Sequence, residues 1–178
     1  KPLWDPLVVI YVLLMIAFAI GVRASAKGKR GLRVAGSLLM VSGVIGPAFP
    51  FASMNRREVL AAGGGTLSDT MHLVLGSVTV PLWILAIAFA ARAFGKRFRR
   101  FSIGTLAVLL ASGALAGMEG PKIAANLPTP LVGVWERLSF ASFLLWVIVM
   151  AVMLLRDSGN RARLPKLITA DNGMNISG

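Results

Sequence analysis

Asp69 and His72 stand three positions apart, so on a helix they share a face, where a carboxylate raises the basicity of an imidazole and fixes its tautomer. That is the outline of an acid–base pair, with His72 as the proton acceptor and Asp69 as its orienter. Glu119, Glu136 and Arg137 supply further charge at the ends of apolar stretches, and Asp5 precedes the first of them. Adjacent helical residues point in different directions, so Glu136 and Arg137 are expected to reach different partners: Arg137 toward Glu119 or Asp69, Glu136 toward His72 or a ligand. A plainer explanation stands beside each. Thr66-x-x-Asp69 has the form of a capping box, with the acid favoured by the helix dipole. His72 can be an interfacial histidine whose polar tip reaches water. Glu119 and the Glu136–Arg137 pair can be boundary residues that tie helices together.

Several chemistries are absent from the chain. It has no cysteine, which removes disulfides, thiol redox catalysis, iron–sulfur clusters and Cys-based zinc sites. A single histidine, His72, cannot build a bis-histidine haem or a His-rich metal centre within one copy. Every lysine falls in a connection or tail, so none is placed within a span for a Schiff base. No nucleophile elbow, Walker loop, zincin helix or dinucleotide fingerprint is present. A triad of Ser68, His72 and an acid lacks any motif for an oxyanion hole. Neither a cofactor nor a metal is expected.

The elements that must position these residues are membrane spans. The chain of 178 residues is 56% apolar and 15% charged, with a mean hydropathy of +0.76, too greasy for an ordinary soluble domain. Five stretches approach the roughly 20 apolar residues that cross a bilayer: 6–22, 32–51, 70–91, 102–118 and 132–155. The sequence therefore predicts an all-α integral membrane protein, an antiparallel bundle over 1–156 followed by a mobile tail over 157–178.

Basic residues crowd three alternate connections: Arg23, Lys27, Lys29, Arg30 and Arg33; Arg92, Lys96, Arg97, Arg99 and Arg100; and Arg156, Arg161, Arg163 and Lys166. By the positive-inside rule these are cytoplasmic, and the net charge of +12 is an orientation signal, not a sign of nucleic-acid binding. Residue 1 is then extracytoplasmic and the C-terminus cytoplasmic. That parity, with Lys in place of Met at position 1, predicts an additional upstream span and six helices in the complete protein, with a cleaved signal sequence as the alternative. Asn175 to Ser177 matches a glycosylation acceptor, a chance match on the cytoplasmic side. Trp4 and Trp135 suit an outer aromatic belt, and Phe94, Phe98 and Phe101 punctuate an inner basic connection.

Prolines and small residues refine the bundle. Gly46, Pro47 and Pro50 interrupt the second span, so its outer end is expected to unwind against protein or a wet cavity, where its freed backbone groups find partners. Pro81 favours a kink in the third span. Gly113 with Gly117, and Ser42 with Gly46, form small-x-x-x-small pairs, and both faces are expected to pack internally.

Three segments together resemble a known family: Lys1-Pro2-Leu3-Trp4 leading into the first span, Thr66-Leu67-Ser68-Asp69-Thr70-Met71-His72 opening the third, and Gly133-Val134-Trp135-Glu136-Arg137 opening the fifth. The chain is similar over about Lys1 to Arg156 to the bacterial membrane family catalogued as domain of unknown function 998, lacking its first helix. The resemblance implies a six-helix bundle in the bacterial inner membrane, distantly similar to the Frag, DRAM and Sfk group, and no established reaction.

The functional expectation is binding of a lipid or other hydrophobic small molecule near the extracytoplasmic face, through Asp69, His72, Glu119, Glu136 and Arg137. The bundle would be a sensor, carrier or accessory subunit. Two alternatives stand beside it: an enzyme using His72 with Asp69 on a lipid substrate, and a structural subunit of a larger membrane complex or homo-oligomer joined through the Gly113/Gly117 face.

Overall fold

A computed structural model describes residues 4–125 and 127–174, with side chains described over 6–123, 125 and 127–159. The side chains of Trp4 and Asp5, the acceptor pattern at 175–177 and the side chains of the tail beyond 159 lie outside the described ones. All regular structure among the described residues is helical. Six α-helices follow in order: α1 (Trp4–Ala24), α2 (Arg30–Ile45), α3 (Arg57–Ala61), α4 (Leu67–Ala90), α5 (Lys96–Ala124) and α6 (Val132–Met174). A 3₁₀ segment, Gly46–Phe51, extends α2. Five stretches are long and apolar enough to cross a membrane: Pro6–Ala24, Arg30–Phe51, Leu67–Ala90, Lys96–Ile123 and Val132–Gly159. Between 17% and 28% of each is buried within the chain, so most of the apolar surface is left for lipid or another protein.

The helices overrun the expected spans. The α5 helix takes in the basic run from Lys96 and passes beyond Met118, and the α6 backbone stays helical past Leu155 to Met174. Hydropathy marks where a helix is apolar, whereas the helix itself ends only where the backbone hydrogen bonds end.

Small residues set the packing of the first half. A Cβ on Gly43 would lie 3.0 Å from Ile16, and one on Gly46 would lie 2.9 Å from Val12, so α1 and α2 approach as only glycine allows. One on Gly31 would collide with the Phe89 carbonyl, which brings the start of α2 against the end of α4. Ser42, on the same side of α2 as Gly46, accepts a hydrogen bond from Trp83 Nε1 of α4 at 2.8 Å. The Ser42/Gly46 face thus packs internally. Gly113 and Gly117 of α5 do not: both are exposed, and a Cβ on either meets nothing within 4 Å. That expectation is corrected because α5 packs on α6 through another stripe, Phe98, Ser102, Thr105, Leu109 and Ser112, spaced by three and four.

Aromatic rings join the two halves. Trp83 of α4 stacks on Phe143 of α6 at 4.1 Å and 8°, and Tyr11 of α1 lies 5.9 Å from Phe140. Phe143, Trp146, Leu39, Ile87 and Leu109 are fully buried in one cluster. Two polar links fix the antiparallel register of α5 and α6: Trp146 Nε1 donates to Ser102 Oγ at 3.0 Å, and Ser112 and Ser139 share a hydrogen bond of 2.7 Å. At the end of the bundle bearing the basic turns, Lys29 Nζ donates to the Ala93 carbonyl at 3.1 Å and to Asp157 at 3.5 Å, and it lies 5.2 Å from the centre of the Phe94 ring. This one side chain ties the 25–29 turn, the 91–95 turn and α6 together.

Candidate functional site

The opposite end of the bundle is organised by the break in α2. Pro47 and Pro50 have no N–H to continue an α-helical ladder, so the chain tightens into the 3₁₀ segment and then leaves it at Ala52. Backbone carbonyls there need donors, and the first turns of α4 provide them. His72 Nδ1 donates to the Ala52 carbonyl at 2.8 Å, with its ring edge-on to Phe49 at 5.5 Å. Ser68 Oγ donates to the Ser53 carbonyl at 2.9 Å, and Ser53 Oγ to the Pro50 carbonyl at 3.2 Å. The freed groups of the broken end therefore face protein.

Asp69 completes the junction. Its carboxylate is buried and receives four hydrogen bonds: from Asn55 N at 2.6 Å, Asn55 Nδ2 at 2.9 Å, Thr66 N at 2.8 Å and Thr66 Oγ1 at 2.7 Å. Thr66 and Asp69 form the expected capping box at the start of α4. None of the four bonds involves His72, so the acid–base pair is not assembled. The two residues do share one side of α4, but each is drawn to a different stretch of the incoming chain, Asp69 to Asn55 and His72 to Ala52.

A second group of charges sits at the end of α5 and the start of α6. Glu119 Oε1 pairs with Lys122 Nζ at 2.8 Å, one turn along the same helix. Its side chain is only 13% exposed, and its other oxygen, Oε2, is buried with no hydrogen-bond partner among the described residues. Thr129, in the connection between α5 and α6, is buried as well, with an unpartnered hydroxyl. Arg137 does not reach Glu119 or Asp69; it folds back onto its own helix, donating to the Gly133 carbonyl at 2.9 Å. Glu136 is exposed, and the His72 Nδ1 hydrogen bond goes to Ala52, not to Glu136. The Arg57 guanidinium of α3 donates to the Leu127 carbonyl, fastening the 46–66 segment to the α5–α6 connection.

The structure thus divides the expected cluster into Asp69 and His72, which hold the broken end of α2, and Glu119, which stands on its own with Lys122. Sequence reasoning missed Asn55, Arg57, Lys122 and Thr129. Lys122 had a signal, its i,i+3 spacing from Glu119. Asn55, Arg57 and Thr129 belong to connections, where no periodicity shows which residue meets which. Among the described residues, no three histidine, aspartate or glutamate side chains gather to hold a metal ion.

Neither the curated proteins nor the solved structures contain a match to this chain. One family model does match, described as a protein of unknown function (DUF998), over residues 2–153. With most of its length matched, and with the α4 and α6 openings that carry the resemblance inside the match, the chain belongs to the DUF998 family.

Proposed function

We propose that this membrane protein is a non-catalytic bundle that binds a lipid or other hydrophobic molecule at the end opposite its basic turns. The observation that supports this most is Glu119: a carboxylate oxygen buried without a partner, at the head of a helix pair whose outer surface is apolar. An unsatisfied buried acceptor is costly, and a ligand that donates to it gains what the bare protein forgoes. His72 contributes its Nε2, since Nδ1 is committed to Ala52, while Glu136 and Arg137 lie at the exposed rim. Asp69 serves the site indirectly by shaping the 52–66 segment. The acid–base alternative is disfavoured because the Asp69 hydrogen bonds go to Asn55 and Thr66 and that of His72 Nδ1 to Ala52, with none between the two.

In this reading the protein lies in the bacterial inner membrane with its basic turns in the cytoplasm and its Glu119 end outside. The chain has no cysteine, so an Arg97→Cys variant gives a single labelling site. It should react with an impermeant maleimide only after the cytoplasmic side is opened. Lipid binding is tested by native mass spectrometry of the purified chain. Wild-type protein should retain lipid, and Glu119→Ala should lose it; equal retention by both would remove Glu119 from the reading.

A second reading, a subunit of a larger membrane assembly, draws on the open face of α5. Among the described residues a Cβ on Gly113 or Gly117 would meet nothing within 4 Å, and such surfaces admit close helix contact. Crosslinking from Gly117→Cys in membranes would trap a partner or a second copy.

A further inference from the structure

The start of α5 carries four exposed cations in succession around Phe98: Lys96, Arg97, Arg99 and Arg100. Its first turn holds no acidic residue. Cations there stand against the positive end of the helix dipole. Lys96 is also one turn from both Arg99 and Arg100, so like charges repel at i,i+3 and i,i+4. The chain does not relieve this among its described residues: the two ion pairs are Lys29–Asp157 and Lys122–Glu119, and neither involves these four side chains. The arrangement costs the folded protein stability, and an anion from outside the chain offsets that cost.

Below the cations the helix is apolar. The buried stripe of α5 is Phe98, Ser102, Thr105, Leu109 and Ser112. At about 100° per residue, Lys96, Arg100, Ile103, Ala107 and Leu110 fall on the opposite side. All five are exposed, Ile103 by 52% and Leu110 by 57%. From Ile103 to Ala114 this outward face rises about 16 Å, close to the roughly 15 Å depth of one leaflet. One helix thus presents three neighbouring cationic side chains and, a turn further on, an uncovered apolar face of leaflet depth.

We propose that this face of α5 holds an anionic phospholipid, with its phosphate among Lys96, Arg99 and Arg100 and an acyl chain along Ile103, Ala107 and Leu110. Arginine suits the role because its planar guanidinium gives a phosphate two parallel N–H bonds and stays charged. An acidic protein or a nucleic acid would answer the cations alone. The apolar face that continues from them in the same register selects a molecule with an anionic head and a hydrocarbon tail. A choline phospholipid brings its own cation into the cluster, whereas a phosphoglycerol headgroup leaves the phosphate charge unbalanced for the protein to meet. This surface lies at the end of α5 opposite Glu119, and the inference is independent of lipid binding there.

The test equilibrates the full-length chain in detergent with equal amounts of a phosphoglycerol and a choline phospholipid of one acyl composition. Native mass spectrometry then reads the ratio bound. Wild-type protein should favour the phosphoglycerol lipid. Each cation neutralised by Lys96→Gln, Arg99→Gln or Arg100→Gln should lower that preference about fivefold, the worth of one basic residue near anionic lipid. Arg99→Lys with Arg100→Lys keeps the charge and should keep most of the preference. Arg30→Gln with Arg33→Gln, exposed cations at the start of α2, should leave it unchanged, and so should Glu119→Ala. A loss as large from the α2 pair as from Arg99→Gln with Arg100→Gln would spread the attraction over the whole basic end and overturn the α5 site. So would loss of the preference in Glu119→Ala. Equal binding of the two lipids by wild-type protein overturns it as well and leaves the cations to an acidic protein partner. The glutamine variants relieve repulsion, so their Tm in lipid-free detergent should match or exceed that of wild type; a fall would make these cations part of the fold and overturn the assignment.

Discussion

His72 Nδ1 donates to the carbonyl of Ala52 at 2.8 Å, across the gap between α4 and the chain leaving the broken end of α2. A carbonyl can only accept, so Nδ1 carries the proton in this bond. His72→Ala leaves the Ala52 carbonyl without its donor. It should cost about 0.5–1.5 kcal/mol, the net worth of one hydrogen bond. Hydrogen exchange measured by mass spectrometry should accelerate over residues 46–56 and remain unchanged in α5 and α6.

Asp69 predicts a rank order. Thr66→Ala removes one cap hydroxyl, while Asp69→Ala removes the acceptor for all four bonds from Asn55 and Thr66. Thermal unfolding in detergent should show a larger fall in Tm for Asp69→Ala than for Thr66→Ala, with the β-branched Asp69→Val no better than alanine. A smaller fall for Asp69→Ala would mean that the junction is held elsewhere.

Trp146 and Ser102 are fully buried and bonded to each other, which suits a double-mutant cycle. Trp146→Phe keeps a ring in the core but strips the donor from Ser102. The coupling energy between Trp146→Phe and Ser102→Ala should be about 0.6 kcal/mol and no more than ~1.7 kcal/mol, the range for hydrogen bonds between membrane helices. Unfolding titrations of the two single variants and the double variant supply the number.

Glycines divide into two classes by what a Cβ would meet. Gly31→Ala drives a methyl into the Phe89 carbonyl and should destabilise the α2–α4 contact, lowering Tm. Gly113→Ala and Gly117→Ala enter open space within a helix, where alanine is favoured over glycine by about 0.5–1 kcal/mol. These two should raise Tm in monodisperse detergent samples. A loss of stability at Gly113 or Gly117 would signal that a second helix occupies that face in the sample.

The bundle was legible in the sequence because a bilayer demands long apolar helices, and a run such as 6–22 admits no other satisfied backbone in lipid. The break at Gly46 to Pro50 and the capping box at Thr66 and Asp69 were legible for the same kind of reason: proline removes a donor, and a helix start needs an acceptor. Which donor meets which carbonyl was not. Nothing local in Ala52 marks it as the partner of His72, and the pairing of Asp69 with Asn55 depends on how the 52–66 segment turns. The Gly113/Gly117 face was misjudged because a small-x-x-x-small pattern states that close approach is possible, while the choice of stripe on α5 was made by Ser102, Leu109 and Ser112 against α6.

The central claim, that lipid headgroups engage the Glu119 end of the bundle, is tested most directly by photocrosslinking. A phospholipid with a diazirine beside its headgroup is incorporated into vesicles with the full-length chain, and adducts are mapped by peptide mass spectrometry. The account predicts adducts concentrated in peptides spanning 117–137 and 46–72, competed by unlabelled phospholipid and reduced in Glu119→Gln. Adducts spread evenly over the exposed faces of all five spans, indifferent to competitor and to the Glu119 variant, would contradict it.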